Sequence, residues 1–190
     1  MSRYYTSDLH LGHVRIIELC NRPFNNVDEM NEAIVENWNS TVSTGDTVFV
    51  LGDVALGKID ESLSLVSRLN GRKLLVPGNH DRCWSGNKKI RPVDITRYTD
   101  VGFEILTNDV ICLNGWRLCH FPYRGDSHDE DRHIGYRPVR YDRMPWLLHG
   151  HVHEKWKVNE DQINVGVDVW DFTPVHEDQI REIVKDAGNS

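Results

Sequence analysis

Side chains that can bind metal ions occur at five places along the chain, each directly after a short apolar segment. In chain order they are Asp8 and His10, then Asp53, then Asn79 and His80, then His120, and finally His149, His151 and His153. Carboxylates, imidazoles and amide oxygens suit borderline or hard divalent ions, and none of the four cysteines belongs to these groups. The sequence therefore indicates Mn²⁺, Fe²⁺ or Zn²⁺ rather than an iron–sulfur cluster.

The spacing of two pairs supports a shared cavity. Asp8 and His10 are two residues apart, as are His151 and His153. In an extended backbone, residues two apart point to the same side, so each pair is expected to face one cavity.

Two ions about 3.5–4 Å apart need a bridging carboxylate. Asp53, in the turn Gly52-Asp53 after an apolar segment, suits that role. A second Gly-Asp pair, at Gly45-Asp46, competes for it but precedes its strand, so Asp46 is expected at the opposite sheet edge as a turn residue.

The apolar segments before these groups predict strands. Residues 4–6, 47–51 and 73–76 are the first three, and amphipathic helices are predicted between them over 27–42 and 60–69. Alternation of strand and helix favours a parallel sheet. The carboxyl ends of such strands open into one crevice, where residues distant in sequence converge.

Beyond residue 101 the predicted strands lie closer together, which favours antiparallel or mixed pairing. They cover residues 104–106, 110–113, 117–119, 146–149 and 163–169, with a last helix over 176–185. The length of 190 residues predicts a single domain, 1–190. The fold expected is α/β, two mixed β-sheets packed together and flanked by helices.

The whole series resembles one known family. Asp8-Leu-His10, Gly52-Asp53-Val, Gly78-Asn79-His80-Asp81, His120 and Gly150-His151-Val-His153 are similar to the five motif blocks of the calcineurin-like metallophosphoesterases, in family order. The resemblance spans residues 8–153 and points to a small bacterial or phage-type member. It implies a four-layer αββα sandwich and phosphoester hydrolysis with two divalent ions, Mn²⁺ favoured.

The resemblance also implies residue roles. One ion is held by Asp8, His10, Asp53 and His153, and the other by Asp53, Asn79, His120 and His151. A hydroxide between the ions would attack phosphorus, since metal binding lowers the pKa of water to about neutrality. The resemblance places His80 near the leaving group, and Asp81 is expected to orient His80.

Other interpretations exist for each group alone. Asp8 and Asp53 are typical turn or cap residues, and His120 could be a buried, hydrogen-bonded histidine. The His151 cluster could form a structural zinc site, and relatives of this fold without metal ligands serve as binding scaffolds. The joint occurrence of all the ligand types at strand ends favours catalysis over these alternatives.

Charge and composition limit the substrates and the location. The net charge of −7 argues against binding long duplex nucleic acid, but ions collected by an acidic cluster attract small phosphate esters. An open cleft without a cap domain favours diesters such as cyclic nucleotides or short oligonucleotides, with phosphomonoesters as the alternative. The absence of a long apolar run argues against membrane insertion and secretion, and the cysteine pattern suits the cytoplasm.

Substrate contacts are expected from residues near the ligands. His13 and Arg15 follow the first ligand pair, although a solvated helix start explains them equally well. Two long segments rich in Arg and Lys, 82–97 and 122–143, are candidates for substrate selection. The role of His149 and the oligomeric state are left open.

Overall fold

The computed structural model describes residues 1–106 and 110–188, and within them ten strands form two five-stranded sheets. The strands are β1 (Arg3–Thr6), β2 (Thr47–Val50), β3 (Arg72–Leu75), β4 (Phe103–Ile105), β5 (Ile111–Leu113), β6 (Trp116–Leu118), β7 (Leu147–His149), β8 (Val158–Asn159), β9 (Gln162–Asn164) and β10 (Val175–His176). The α-helices are α1 (Val14–Leu19), α2 (Val27–Thr41), α3 (Ile59–Ser64), α4 (Pro92–Asp100) and α5 (Glu177–Gly188).

The first sheet has the order β10-β1-β2-β3-β4. Strands β1 to β4 are parallel, which confirms the parallel sheet predicted from the first half of the chain, and β10 adds to β1 antiparallel. Strand β4 was grouped with the later strands, for which antiparallel or mixed pairing was expected, but it belongs to the first sheet and pairs parallel to β3. Helix α4, within a segment expected to be a loop, returns the chain to the starting edge, so β4 runs parallel to β3.

The second sheet has the order β5-β6-β7-β9-β8 and mixes both kinds of pairing, as predicted. The strand predicted over 163–169 is shorter than expected. The Asn164 side chain accepts a hydrogen bond from Gly166 N at 2.8 Å and turns the chain out of β9, and Val167–Val169 then forms a 3-10 helix.

Side chains of the first sheet alternate between two apolar layers. Tyr4, Val48 and Val50 pack against the helices, together with Trp38 of α2. Their neighbours along the strands face the second sheet instead, and this layer contains Tyr5, Phe49, Leu74, Leu118, Leu148 and Ile163. The period of two places one face of the sheet under the helices and the other against the second sheet, which confirms two packed mixed sheets flanked by helices.

The start of α2 is explained by a capping residue in the sequence. Asn26 caps α2 by accepting a hydrogen bond from Glu29 N at 2.9 Å.

A third apolar cluster lies on the second sheet and contains Trp84, Phe121, Leu147 and Cys119. None of the helices in the described residues is long and apolar enough to cross a membrane.

Candidate metal centre

The strand ends bring the five polar groups together at one edge of the two sheets. Asp8 N donates to Gly52 O at 3.1 Å and His10 N to Asp53 O at 3.0 Å, so the segments after β1 and β2 run side by side. In the second sheet, Gly150 N donates to His120 O at 3.1 Å. The predicted crevice at the carboxyl ends of the strands is therefore present.

The backbone that orients the two predicted ligand pairs is left-handed and not extended. The φ angles are +55° at Asp8, +51° at His10, +73° at His151 and +48° at His153, and Asp53 has +56°. The expectation of extended Asp-x-His and His-x-His segments was wrong. Such angles cost on the order of 1–3 kcal/mol at a non-glycine residue and cluster at functional sites, where the surrounding structure holds them.

Two glycines of the motifs are required by close packing. A Cβ at Gly78 would lie 2.4 Å from Asp53 Oδ1, and one at Gly150 would lie 2.3 Å from Asp8 Oδ2. Real Cβ atoms do not approach other atoms so closely. These glycines let the backbone pass directly beside the two carboxylates.

The first candidate group contains four side chains. His10 Nε2 lies 3.2 Å from His153 Nε2, and Asp8 Oδ1 lies 3.6 Å from the same His153 atom. Asp53 Oδ2 is 3.8 Å from His10 Nε2. One ligand atom from each of the four lies within 4.8 Å of the others, so they can surround one ion.

The second candidate group forms around His120. Its Nδ1 lies 2.7 Å from Leu51 O, and because a carbonyl only accepts, Nδ1 carries the hydrogen and Nε2 presents a lone pair. That Nε2 is 3.1 Å from Asn79 Oδ1 and 3.5 Å from Asp53 Oδ2. Three acceptor atoms facing one another call for a cation between them. The His151 ring lies beside the His120 ring at 5.3 Å between centroids.

The ionisation of these side chains fits divalent ions. Burial lowers the pKa of His10 and His120 and that of His153 to about 3, so the three rings are neutral and offer lone pairs. Burial raises the pKa of Asp8 and Asp53, because two carboxylates away from water are costly without a cation. Bound ions would supply the missing positive charge.

Asp53 belongs to both groups, whereas Asp46 lies elsewhere. The Asp46 carboxylate accepts hydrogen bonds from Ser2 N at 2.7 Å and Ser43 N at 3.0 Å. Asp46 precedes β2 and holds a turn at the opposite edge of the sheet, as expected from its position.

His80 stands at the mouth of the site. Its side chain is 43% exposed, compared with 1% for Asp53, and its Nε2 lies 3.9 Å from Asp53 Oδ2. The His80 backbone N donates to Asp53 Oδ1 at 2.9 Å. Burial still lowers the pKa of His80, so the ring is neutral near pH 7.

Asp81 contacts different atoms from those expected. Its carboxylate accepts from the backbone N atoms of Gly78 and Asp53 at 2.8 Å and of Val54 at 3.0 Å, and from Tyr98 Oη at 3.3 Å. Within the described parts of the chain, no hydrogen bond joins Asp81 to the His80 ring. The expectation that Asp81 orients His80 therefore has no support in these contacts, since the backbone and Tyr98 occupy the carboxylate.

The other residues singled out in the sequence lie at different distances from the candidate metal ligands. The His13 ring lies 5.3 Å from the His10 ring, whereas Arg15 is on the exposed face of α1. His149 is buried, with Nδ1 2.7 Å from Gly150 O and its ring 4.8 Å from Trp156. Its ring packs in the interior, while its Nε2 is buried without a hydrogen-bond partner among the described residues.

A buried pair that no sequence pattern indicated supports Asp8. Asp168 binds Arg22 through two hydrogen bonds, of 2.8 Å and 2.9 Å. Arg22 also donates to the backbone carbonyls of Asp8 at 2.8 Å and Leu9 at 3.1 Å. The partners are 146 residues apart, so no local pattern could reveal them.

Asp126 was also missed, although it lies in the basic segment 122–143. Its Oδ2 is 3.1 Å from His151 Nε2, which assigns the hydrogen to Nε2 and leaves the Nδ1 lone pair for an ion. Asp126 also pairs with Arg132 at 2.9 Å and Arg137 at 3.3 Å. Burial raises the pKa of this carboxyl, but hydrogen bonds from Arg132 and His151 outweigh burial and hold the pKa below its usual value.

One cysteine touches a candidate ligand from outside the first group. Cys20 Sγ lies 3.2 Å from His153 Nδ1, the ring nitrogen opposite the one in the first group. Burial raises the pKa of the Cys20 thiol, so it is protonated and packs behind His153.

Two mixed sheets flanked by helices, with Asp and His side chains at the strand ends, define an architecture of metal-dependent phosphoester hydrolases. Residues 1–155 match the family described as calcineurin-like phosphoesterase, and the chain belongs to that family. The resemblance found in the sequence motifs is thereby confirmed.

Similar proteins occur in phages, archaea and bacteria. The chain is 33% identical to the Gene 66 protein of Mycobacterium phage L5, covering 95% of this chain and 93% of that protein. It is 31% identical to an uncharacterized protein of Methanocaldococcus jannaschii, covering 96% and 90%. A crystal structure of a protein of unknown function from Aquifex aeolicus, 26% identical, aligns with a TM-score of 0.67 over 96% of this chain and 98% of that one.

Proposed function

We propose that this protein is a phosphodiesterase that uses two divalent ions, with Mn²⁺ favoured. The proposed ligands of the first ion are Asp8, His10, Asp53 and His153, and those of the second are Asp53, Asn79, His120 and His151. Bound ions supply Lewis acidity to the phosphate and activate water as the nucleophile.

The position of Asp53 Oδ2 is the observation that carries the proposal. This oxygen lies 3.8 Å from His10 Nε2 in the first group and 3.5 Å from His120 Nε2 in the second. Both nitrogens belong to buried, neutral rings, so one carboxylate oxygen stands between two sets of lone pairs. That arrangement supports two neighbouring ions sharing Asp53.

The proposed role of His80 follows from its exposure and its distance from Asp53. A side chain at the mouth of the site, near the ligands but outside both groups, can reach the phosphate or its leaving group. A neutral His80 ring would donate a hydrogen bond to the phosphate, and its protonated form would transfer a proton to the leaving oxygen. Asp81 would keep the turn of Asn79 and His80 against Asp53.

A diester is favoured because His80, with 43% of its side chain exposed, stands at an accessible mouth of the site. The His13 ring lies 5.3 Å from the ring of the candidate ligand His10, and a basic surface cavity begins at Arg82, two residues after His80. A phosphate with substituents at both ends can enter such a site. Cyclic nucleotides and short oligonucleotides are the substrates proposed.

We further propose one domain spanning residues 1–190 and a cytoplasmic location. Cys20, Cys83 and Cys112 are free thiols, which a reducing compartment preserves.

The proposal is tested by substrate hydrolysis after the metal has been removed with a chelator. Mn²⁺, Zn²⁺, Fe²⁺ or Mg²⁺ is returned separately, and bis(p-nitrophenyl) phosphate is compared with p-nitrophenyl phosphate. We expect Mn²⁺ to restore diester hydrolysis with a higher kcat/KM than monoester hydrolysis. Preference for the monoester would indicate a phosphatase, and metal binding without hydrolysis of either ester would indicate a scaffold.

A further inference from the structure

A basic surface cavity begins immediately after the His80 motif. It has a volume of about 570 Å³ and is lined by Arg82, Asn87, Lys88, Lys89, Arg91 and Asp94. Four of these six side chains are cationic. In a protein of net charge −7, such a local excess of positive charge marks a place where an anion is favoured.

Most of this positive charge is not neutralised within the protein. Arg91 is bound by Asp94, with 2.9 Å between Nη2 and Oδ1. For Arg82, Lys88 and Lys89, no carboxylate within residues 1–106 and 110–188 lies at ion-pair distance. All three are exposed. Three exposed cations within eight residues are therefore available to an external anion.

Hydrogen bonds connect the wall of the cavity to the candidate metal centre. Asn87 Nδ2 donates to the backbone carbonyl of Asp81 at 2.9 Å, and Trp84 N donates to the same carbonyl at 3.0 Å. The Asp81 carboxylate in turn binds the backbone N of Asp53 at 2.8 Å. Trp84 is buried and packs on Phe121, which anchors the turn. The cavity wall thus has a fixed position relative to Asp81, the residue that follows His80 in the chain.

We propose that this cavity binds the phosphates next to the scissile phosphate in a short single-stranded oligonucleotide. The inference rests on the proposed function and narrows its substrate class. A cyclic nucleotide or an aryl diester carries one phosphate and leaves the cavity unused, whereas an oligonucleotide presents further negative charges at regular intervals. The acidic remainder of the protein repels a long polyanion, so the matching substrate is short.

The test uses the double variant Lys88→Gln/Lys89→Gln and a control of equal charge change, Lys155→Gln/Lys185→Gln, at exposed positions outside the cavity lining. Binding of a fluorescein-labelled hexathymidylate is measured by anisotropy on the full chain in chelator, where hydrolysis stops, over a range of salt concentrations. Kinetics with bis(p-nitrophenyl) phosphate are measured on the Mn²⁺-loaded protein.

The cavity variant should bind the oligonucleotide about tenfold more weakly than wild type. Its slope of log affinity against log salt should be smaller by about 1.4, because each neutralised phosphate of a single strand contributes about 0.7. Hydrolysis of the aryl diester should be unchanged. Equal affinity and slope in wild type and cavity variant, or equal losses in the control variant, would overturn the inference.

Two further results separate this inference from the proposed function. Inorganic polyphosphate and unlabelled oligonucleotide are compared as competitors of the labelled oligonucleotide. If polyphosphate displaces it at the lower concentration of phosphate groups, the substrate class is contradicted. If the Mn²⁺-loaded wild type hydrolyses the aryl diester while the lysines have no effect on oligonucleotide binding, the phosphodiesterase proposal stands and the cavity proposal fails. If the lysines govern binding but no ester is hydrolysed, the phosphodiesterase proposal fails. The cavity proposal then fails with it, because an oligonucleotide would bind without a scissile phosphate.

Discussion

Arg22 and Asp168 form a bidentate ion pair, and their side chains are almost completely buried, with 0% and 2% exposure. Arg22 uses its other N–H groups to hold the carbonyls of Asp8 and Leu9. A buried ion pair adds little net stability compared with well-packed apolar side chains. We therefore interpret this pair as a support for the left-handed turn that carries Asp8 and His10.

Removing one partner of this pair should be costly. Asp168→Asn would leave the Arg22 guanidinium buried without its counter-charge, and we expect the free energy of unfolding to fall by roughly 3–5 kcal/mol. Mn²⁺ affinity should fall as well, because the Asp8 turn loosens. Urea denaturation and a metal titration measure the two effects.

The matched control is Asp60→Asn, which breaks the exposed ion pair of Asp60 with Arg97. An exposed pair is screened by water, so this variant should retain its stability and its metal affinity. If both variants behaved alike, the support attributed to Asp168 would be refuted.

The bridging role of Asp53 can be separated from the turn role of Asp46. Asp53→Asn should lose bound metal and activity together, because both candidate groups use Oδ2 of this side chain. Asp46→Asn should keep both and lose only some stability, since its oxygens cap backbone N–H groups of Ser2 and Ser43. Metal analysis after gel filtration distinguishes them. Normal metal content in the Asp53 variant would rule out the bridge.

Asp126 is predicted to act through His151. Asp126→Asn should reduce Mn²⁺ affinity about 10- to 100-fold, the usual effect of removing a carboxylate that orients a metal-binding histidine. Asp161→Asn is the matched control, because Asp161 pairs with Arg140 of the same basic segment and forms no ion pair with a histidine among the described residues. Isothermal titration calorimetry with Mn²⁺ gives the comparison. Equal affinities in the two variants would assign Asp126 to loop folding alone.

His80 is predicted to take part in catalysis and not to bind metal. His80→Ala should keep near-normal metal content while turnover slows by roughly 10² to 10⁴, the range for a lost general acid or base. An alkyl leaving group should be affected far more than p-nitrophenolate, which needs no proton. An equal defect with both leaving groups would indicate instead that His80 stabilises charge on the phosphate.

The convergence of the candidate ligands could be predicted because it follows from strand direction. Asp53 and Asn79 each come after an apolar strand of a parallel sheet, and such strands end at one edge. The strand-and-helix alternation that predicts this direction is visible in the hydrophobic pattern of residues 4–76. The position of these residues therefore followed from local patterns.

The support of the site could not be predicted, because it depends on contacts distant in sequence. The pair of Arg22 with Asp168 and that of Asp126 with His151 join chain segments with no shared pattern. The left-handed turns were missed for a related reason. A positive φ at a residue such as His10 is unfavourable locally, and only the surrounding tertiary structure stabilises it.

The central claim is that two ions bind at one site and that activity requires both. Its most direct measurement is a Mn²⁺ titration of chelator-stripped protein, with bound metal per chain and bis(p-nitrophenyl) phosphate hydrolysis recorded on the same samples. We expect activity to be absent without metal and to reach its maximum as about two ions bind per chain. Full activity in lasting chelator, or saturation of activity at a single ion per chain, would contradict the account.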